Sequence, residues 1–285
     1  MESQRNFGRS FSFEFFPPKT ADGVANLERA RTRLAALGPE FVSVTFGAGG
    51  STREGTLETV LACQQAGLDV APHLSCIGST RESIDELLAG YRDRGIRRIV
   101  ALRGDLPSGM GQAGEFRYAN ELVAYIRKTT GDHFTIEVAA YPEFHPQAPS
   151  AKADLDNFKR KVQAGANGAI TQYFYNPDAY LRFVGSCERM GLSLPIVPGV
   201  MPITNHTQLA RFSDMCGAEI PRWVRKRLEG YGDDITAIRA FGLEVTADLC
   251  RRLLDTGAPG LHVYTMNRAE PTVALWEALG LPGAA

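Results

Sequence analysis

The sequence predicts an α/β fold, a (β/α)8 TIM barrel with extra helices between strands 7 and 8. Short apolar runs alternate with helical stretches almost to the end of the chain, and there are eight such runs. The chain of 285 residues is also long enough for this barrel, which typically needs about 250 residues. We therefore expect one catalytic barrel domain over residues 1–285. A doubly wound open sheet is the alternative, although no Gly-x-Gly-x-x-Gly turn follows the first run.

The strands and helices are expected in regular alternation. The eight predicted strands cover residues 11–15, 41–45, 70–75, 99–102, 135–139, 168–172, 195–199 and 260–264. Predicted helices between them include residues 24–37, 81–94, 121–129, 151–164 and 177–190. Glycines typical of helix carboxyl ends precede four strands, at Gly67, Gly95, Gly165 and Gly191. Repeated units of this kind predict parallel strands with right-handed crossovers.

The segment between the last two strands departs from this alternation. Residues 199–260 contain three helical pieces, over residues 208–215, 223–228 and 235–254, and no convincing strand. Such an insertion could form a wall or lid over the mouth of the barrel. It could equally be a contact between subunits of an oligomer.

Composition disfavours several classes of function. The net charge is −1, from 31 basic and 32 acidic residues, so no global field attracts nucleic acid or an anionic membrane. No apolar stretch approaches the ~20 residues of a membrane span, and the polar amino terminus is unlike a secretory signal. We expect a cytoplasmic protein.

The cysteines indicate neither a disulfide framework nor a metal site. There are five of them, an odd number, and they form no Cys-x-x-Cys pair. They are Cys63, Cys76, Cys187, Cys216 and Cys250. Buried or half-buried thiols are the simplest expectation, and no metal ligands are predicted.

The first strand holds an acid among aromatic residues. At the two-residue period of a strand, Phe11, Phe13 and Phe15 share one face, which leaves Ser12 and Glu14 on the other. If the phenylalanines pack against helices, the glutamate points into the barrel. Dry surroundings raise the pKa of a carboxyl group and suit it to act as a general acid near neutral pH. The alternative is an edge strand whose glutamate faces water.

Polar residues recur where the predicted strands end. In a barrel these ends meet at one mouth, so their side chains should lie together. They are Glu14, Thr45, His73, Arg103, Asp105, Tyr141, Glu143, His145, Gln172, Tyr264, Asn267 and Arg268. Each one alone has a structural explanation, but their recurrence favours a site.

Three local patterns add candidate ligand contacts. An apolar strand ends abruptly at Arg103-Gly104-Asp105. This segment could be a ligand site, or its arginine and aspartate could form an ion pair within a turn. Residues 47–52, Gly-Ala-Gly-Gly-Ser-Thr, resemble an anion-binding loop, although their glycines could serve a tight turn alone. Asp154, Asn157 and Lys161 form a polar helix stripe that could hold a nucleotide, and a solvated helix face explains it equally.

Taken together and in order, these motifs resemble the 5,10-methylenetetrahydrofolate reductase family. The resemblance runs from about residue 11 to residue 270. Its motifs are Phe-Glu-Phe-Phe-Pro-Pro-Lys (13–19), Val-Ser-Val-Thr-Phe-Gly-Ala (42–48), Ala-Pro-His-Leu (71–74), Ala-Leu-Arg-Gly-Asp (101–105), Ala-Tyr-Pro-Glu (140–143), Ile-Thr-Gln (170–172) and Asn-Arg-Ala-Glu (267–270).

The resemblance implies a flavoprotein that reduces 5,10-methylenetetrahydrofolate to 5-methyltetrahydrofolate, with FAD as cofactor and NADH or NADPH as electron source. Positions matching the family's FAD contacts are Thr45, His73, Arg103, Gly104, Asp105, Tyr118, Ala119, Tyr141, His145, Asp154, Asn157, Arg160 and Lys161. Positions matching its folate contacts are Gln172, Gln208 and Arg268, and Phe212 lies where the family stacks folate and nicotinamide. A homo-oligomer is also expected.

The reaction assigns a task to several of these residues. Opening the methylene bridge to an iminium needs a proton on the departing nitrogen, which a neutral Glu14 could supply. Asp105 would stay anionic and stabilise the iminium, and Arg103 and Lys161 would neutralise FAD phosphates. Gln172 and Phe212 complete the predicted catalytic set. One mouth serving nicotinamide and folate in turn predicts ping-pong kinetics.

The chain departs from the family pattern at a few positions. Phe46 stands where Tyr is frequent, Asn176 replaces an Asp, and His206-Thr207 replaces a more usual Phe-Lys. Two other functions remain open from sequence. They are a flavin-free barrel acting on another folate or phosphate-bearing substrate, and a catalytically silent barrel subunit.

Overall fold

A computed structural model describes residues 1–46, 53–104 and 114–283, except for the side chain of Arg53. It shows a (β/α)8 barrel in which all paired strands are parallel. The strand segments are β1 (Ser10–Phe15), β2 (Phe41–Val44), β3 (Val70–Ser75), β4 (Arg98–Leu102), β5 (Thr135–Ala140), β6 (Gly168–Thr171), β7 (Ile196–Val197), β8 (Gly199–Val200) and β9 (Gly260–Tyr264). The predicted fold class is thus confirmed.

The seventh strand of the barrel is split in two. Pro198 separates β7 from β8; β7 pairs with β6, and β8 pairs with β9. The barrel therefore closes through the continuous chain at this proline, which has no amide hydrogen to donate. Around it, the amide of Gly199 donates to the hydroxyl of Thr171 at 2.9 Å, and the carbonyl of Pro198 accepts from the amide of His262 at 3.0 Å. The prediction of one strand over residues 195–199 was wrong in this detail.

Helices alternate with the strands as the sequence predicts. After a 3-10 helix (Ser3–Asn6) they are α1 (Ala21–Ala35), α2 (Arg53–Gln65), α3 (Arg81–Asp93), α4 (Ala119–Thr130), α5 (Ala151–Gln163), α6 (Pro177–Arg189), α7 (His206–Cys216), α8 (Arg222–Tyr231), α9 (Ile235–Thr256) and α10 (Glu270–Leu279). The four predicted end glycines, Gly67, Gly95, Gly165 and Gly191, all have positive φ, between 70° and 113°. Such a backbone favours glycine and ends each helix just before the next strand.

The outward faces of the strands form the main hydrophobic core with the helices. Phe13 and Phe15 are fully buried there, and the Trp276 ring packs edge-on against Phe11 and Phe13 at centroid distances of 5.1 and 5.4 Å. A second, small cluster of Phe41, Ala71, Val100 and Ile170 is separate from this core. The predicted alternation along β1 is confirmed, because its phenylalanines face the helices and Glu14 faces the opposite way.

An ion network of one buried, one half-buried and one exposed side chain joins β4 to β5 and to the residue that precedes β2. Arg98 donates to Glu137 at 2.7 Å and to Glu40 at 2.6 Å, and its guanidinium lies 4.3 Å from the centroid of the Phe41 ring. Burial raises the pKa of the Glu137 carboxyl, and the positive charge of Arg98 opposes that rise. The network satisfies charges that would otherwise be costly inside the barrel.

Three helices occupy the segment between β8 and β9, as predicted. The second and third, α8 and α9, pack on each other, and α9 also packs against α10 and α6 in the outer layer. The first, α7, instead contributes Phe212, Met215 and Cys216 to a cavity at the barrel mouth. This arrangement supports the wall interpretation of the insertion.

Two further expectations can be compared with the structure. All five cysteines are free; Cys216 is half-buried and the others are buried. Among the described residues, no helix combines the length and the apolar composition needed to cross a membrane.

Candidate active site

Two adjoining cavities open at the carboxyl ends of the strands. The inner cavity has a volume of about 360 Å³, and the predicted site residues that line it are Glu14, Thr45, His73, Tyr141, Gln172 and Phe212. The outer cavity has a volume of about 680 Å³, and those that line it are Arg103, Gly104, Tyr118, Ala119, Tyr141, His145, Asp154, Asn157, Arg160 and Lys161. Leu102, Ala139 and Tyr141 line both. The two cavities therefore adjoin along these three residues, and we refer to the pair as the cleft.

Some predicted residues lie elsewhere. Asp105 and the predicted anion-binding loop at 47–52 fall outside the described residues. Gln208 lies in the first turn of α7, where its backbone amide donates to Oδ1 of Asn205, and it lines neither cavity. Arg268 is exposed and lines neighbouring clefts with Arg239. The structure thus groups Gln172 and Phe212 with Glu14 but leaves Gln208 and Arg268 outside both cavities.

Glu14 lies inside the barrel between two histidines. Its Oε2 atom is 3.5 Å from His73 Nε2 and 3.9 Å from His262 Nε2, and its side chain is 20% exposed. This placement excludes the alternative of an edge-strand glutamate facing water. The backbone of Glu14 is held as well, because the Thr265 hydroxyl donates to its carbonyl at 2.6 Å. Burial lowers the pKa of His73, so its imidazole is neutral at neutral pH.

His262 belongs to the site, although the sequence did not single it out. Its ring is fully buried, and its Nδ1 atom lies 2.7 Å from the hydroxyl of Ser12. One signal in the sequence could have identified it. At the period of a strand, His262 shares a face with Tyr264, which was expected at the mouth.

The opposite wall of the inner cavity joins β6 to α7. Gln172 accepts a hydrogen bond from the amide of Tyr173 through its Oε1 atom, at 3.0 Å. The Tyr173 hydroxyl lies 3.1 Å from the Ser213 hydroxyl and accepts from the Cys216 thiol at 3.3 Å. These contacts hold α7, and with it Phe212, against the mouth. Tyr173 and Cys216 were not predicted as site residues.

Tyr264 lines the inner cavity next to the same wall. Its hydroxyl donates to the carbonyl of Thr171 at 2.7 Å, next to Gln172 in the chain. Burial raises the pKa of Tyr264 well above its ordinary value, and the charge of Glu14 raises it further. The phenol is therefore neutral and acts as a fixed hydrogen-bond donor.

The outer cavity is walled by the predicted polar stripe of α5. Asp154 accepts from the amide of His145 at 3.1 Å, and the His145 ring meets Tyr141 edge-on at a centroid distance of 4.7 Å. Lys161 donates to the carbonyl of Ala139. Burial lowers the pKa of Lys161 to about 8, and the charge of Asp154 opposes this.

Three cationic side chains line the outer cavity. Arg103 donates to Gln147 and to the carbonyl of Gly104, and Arg160 donates to Asn157 at 2.7 Å. With Lys161, they face a cavity that also receives the amino-terminal ends of α4 and α5. Positive side chains and helix amino ends together favour an anionic ligand.

Gly104 has an intramolecular reason to be glycine. Its φ is +82°, and a Cβ atom there would lie 2.3 Å from the hydroxyl of Ser75 and 3.0 Å from Ile77. The contacts show that this glycine is needed first for packing of the β4 loop against the end of β3.

The family model for methylenetetrahydrofolate reductase matches residues 2–280. This chain is a member of the methylenetetrahydrofolate reductase family. The match extends the sequence resemblance to nearly the entire chain and supports a methylenetetrahydrofolate reductase function.

Curated relatives agree with this assignment. The 5,10-methylenetetrahydrofolate reductase of Escherichia coli strain K12 is 43% identical over 274 residues, which cover 95% of this chain and 91% of the relative. The Arabidopsis thaliana methylenetetrahydrofolate reductase (NADH) 1 is 40% identical over 286 residues, which cover 95% of this chain and 48% of the plant protein.

Solved structures share the fold of this reductase family member at low sequence identity. An uncharacterised protein from Clostridium thermocellum, which binds two copies of 5-methyl-5,6,7,8-tetrahydrofolic acid, superposes with a TM-score of 0.68 at 15% identity, covering 98% of this chain and 96% of its own. A thermostable aldo-keto reductase superposes with a TM-score of 0.55 at 11% identity, covering 95% and 90%. Both comparisons support the barrel fold.

Proposed function

We propose that this reductase uses FAD, and NADH or NADPH, to reduce 5,10-methylenetetrahydrofolate to 5-methyltetrahydrofolate in two alternating half-reactions. One observation carries the proposal. Glu14 lines one cavity at the barrel mouth, a cluster of cations lines the adjoining cavity, and Tyr141 lines both. Such a cleft suits a long cofactor with a ring system at one end and phosphates between.

The residues present fit FAD. The inner cavity offers apolar and aromatic walls for a flat ring, including Leu102, Ile170 and Tyr141. The outer cavity offers Arg103, Arg160 and Lys161 for phosphate oxygens. The α5 stripe adds carboxylate and amide groups for ribose hydroxyls. When bound there, FAD would take up a hydride from the nicotinamide and deliver it to the folate.

In this proposal Glu14 acts as the general acid. Its carboxyl group lines the inner cavity, beside the region where the ring of the cofactor would lie. From there it would give a proton to the folate nitrogen that departs when the methylene bridge opens. Proton transfer from a fixed acid at this point makes the methylene carbon electrophilic enough to receive a hydride.

In this proposal Gln172 and Phe212 hold the folate. Both line the inner cavity on the side opposite Glu14, and Phe212 lies on α7, which forms the wall of the mouth. The amide of Gln172 would bond the pterin, and the Phe212 ring would stack on the planar part of either substrate. Asp105 remains our candidate for stabilising the cationic intermediate. Gln208 and Arg268 remain candidates for the distal part of the folate.

The two half-reactions test this proposal directly. The purified protein should be yellow, NADH or NADPH should bleach it without oxygen, and methylenetetrahydrofolate should restore the oxidised spectrum. Protein that is colourless and stays so after FAD is added would favour the flavin-free alternative. Flavin that is reduced but never reoxidised by the folate would favour a different acceptor.

The affinity for FAD should depend on pH through Lys161. Its amine has a pKa of about 8, so it loses its charge at a lower pH than an ordinary lysine. We expect the FAD dissociation constant to rise between about pH 7 and pH 10, and Lys161→Met to weaken binding by about tenfold or more at neutral pH. Fluorescence titration of the apoprotein with FAD measures both effects.

Lys152→Met is the matched control for this experiment. Lys152 lies on the same helix, α5, but is exposed and pairs with Asp156 at 2.8 Å. It should leave both the affinity and its pH dependence unchanged. An equal effect of both substitutions would argue that α5 contributes only general charge.

A further inference from the structure

A buried pair of polar residues, Ser12 and His262, lies beside the acid of the active site. We propose that His262, held by Ser12, is a positioning residue that donates a hydrogen bond to Oε2 of Glu14 and so turns the acidic Oε1–H toward the substrate. The proposal rests on the proposed function, because it concerns how Glu14 acts as the acid.

The geometry that fixes the pair is set by the sheet. Ser12 on β1 is the register partner of His262 on β9, so the two side chains enter the barrel at the same level. Ser12 is 1% exposed and His262 is 0% exposed, and the Oγ–Nδ1 distance is 2.7 Å. A buried imidazole with one nitrogen bound at this distance cannot rotate freely.

The other nitrogen of His262 faces Glu14. Within the described part of the chain, His262 Nε2 is buried and has no hydrogen-bond partner, and the nearest carboxylate oxygen is Glu14 Oε2 at 3.9 Å. Buried polar nitrogens without a partner are rare and costly. A movement of about 1 Å in the glutamate side chain would bring the two atoms into hydrogen-bond distance. The unpartnered nitrogen therefore indicates a bond that forms during the reaction.

The same tautomer of His262 can donate a hydrogen bond to Glu14 before and after proton transfer. When the Ser12 hydroxyl donates to Nδ1, the ring hydrogen is on Nε2 and points toward Oε2. In the neutral acid, Oε2 is the carbonyl oxygen and accepts this hydrogen while Oε1–H faces the cavity. After Oε1 gives its proton to the folate nitrogen, Oε2 carries part of the negative charge and the same bond becomes stronger. His262 keeps its proton throughout.

The other groups that face this site are compatible with the proposal. His73 Nε2 from β3 lies 3.5 Å from the same Oε2 atom of Glu14 and is also buried without a hydrogen-bond partner among the described residues, and the burial-lowered pKa of His73 keeps its ring neutral. His73 lacks the Ser12 contact that fixes the ring of His262. Tyr264 from β9 is a neutral phenol. Glu137 from β5 is paired with Arg98, and Ser43 from β2 is the register partner of Glu14. Among the described groups, no unpaired cation competes with His262 for the carboxylate.

The test is the pH profile of the folate half-reaction in His262→Leu. Without the donor, the ionised form of Glu14 is less stabilised. In the pH profile the rate falls with rising pH above a midpoint, and we expect this midpoint to move up by about one pH unit. We also expect the rate below the midpoint to fall by about tenfold. His262→Gln keeps a donor and should retain most of the wild-type midpoint. Flavin reduction by the nicotinamide should be unchanged in both variants.

His133→Gln is the control, because His133 lies before β5, where it contacts Ile96 and Arg97. It should change neither half-reaction. An unchanged midpoint in His262→Leu, or an equal loss in both half-reactions, would overturn the proposal. If His262→Leu does not fold, His262→Gln and Ser12→Ala carry the test, and Ser12→Ala should give a midpoint shift between those of the other two.

A second measurement does not depend on turnover. The 15N chemical shifts of the histidine rings in the apoprotein report which nitrogen carries the hydrogen. We expect the Nε2–H tautomer for His262 in the wild type and a mixture in Ser12→Ala. An Nδ1–H tautomer in the wild type would overturn the proposal even if the protein reduces folate. Absence of folate reduction with the expected tautomer would instead count against the proposed function.

Discussion

Replacing Glu14 with Gln should slow the folate half-reaction by about a thousandfold and leave reduction of the flavin by the nicotinamide largely intact. Glutamine preserves the shape of the side chain between His73 and His262 but has no acidic proton to give. General acid catalysis by a positioned side chain typically contributes about 10²- to 10⁴-fold. Anaerobic stopped-flow absorbance of the flavin measures each half-reaction separately.

Glu143→Gln is the matched control for this prediction. Glu143 is also a half-buried carboxyl near the barrel mouth, and burial raises its pKa. It accepts from the amide of Glu219 at 2.8 Å and lines neither cavity, so its substitution should leave both half-reactions close to wild type. An equal loss of the two half-reactions in Glu14→Gln would remove the acid role from Glu14.

Replacing Arg98 with Met should lower the free energy of unfolding by about 3–5 kcal/mol, the cost expected when one partner of a buried ion pair is removed. Glu137, at 6% exposure, would be left with its charge unpaired. Urea denaturation followed by circular dichroism measures the change. The double variant Arg98→Met with Glu137→Leu should recover much of the loss, because it removes both charges.

The pH dependence of this loss has a definite sign. Without Arg98, burial raises the pKa of Glu137 further above its unfolded value, so the penalty is complete only where the carboxyl is ionised in the folded state. The deficit relative to wild type should therefore shrink as pH falls toward about 4.3, the pKa of an unperturbed glutamate. Arg92→Met, at an exposed position of α3, should have little effect at any pH. A deficit that grows on acidification would contradict this account.

The sequence was sufficient for the fold because its signals are local. The period-two pattern of Phe11, Phe13 and Phe15 placed Glu14 inside the barrel, and glycines with positive φ marked where helices end. The split of the seventh strand could also have been expected from Pro198, because a proline cannot donate within a ladder.

The candidate site was only partly predictable, because its contacts join residues far apart in the chain. Ser12 and His262 are 250 positions apart, and their hydrogen bond depends on the register of β1 and β9. The cysteine and tyrosine contacts that hold α7 likewise depend on how the inserted helices turn back onto the barrel. Motif order identified the family, but distances between side chains required the assembled barrel.

The divided seventh strand gives the barrel one place where it is easiest to open. β7 and β8 each contribute only two register pairs to their neighbours, whereas β1 and β9 share five. Amide hydrogens on either side of Pro198 should therefore exchange with solvent faster than those of β1. The Thr171 hydroxyl accepts a hydrogen bond from the amide of Gly199, and Thr171 precedes Gln172 in the chain. A transient opening of the barrel at this point would therefore also displace the glutamine that we propose to bind the folate. Binding of the substrate should in turn slow the exchange of these amides.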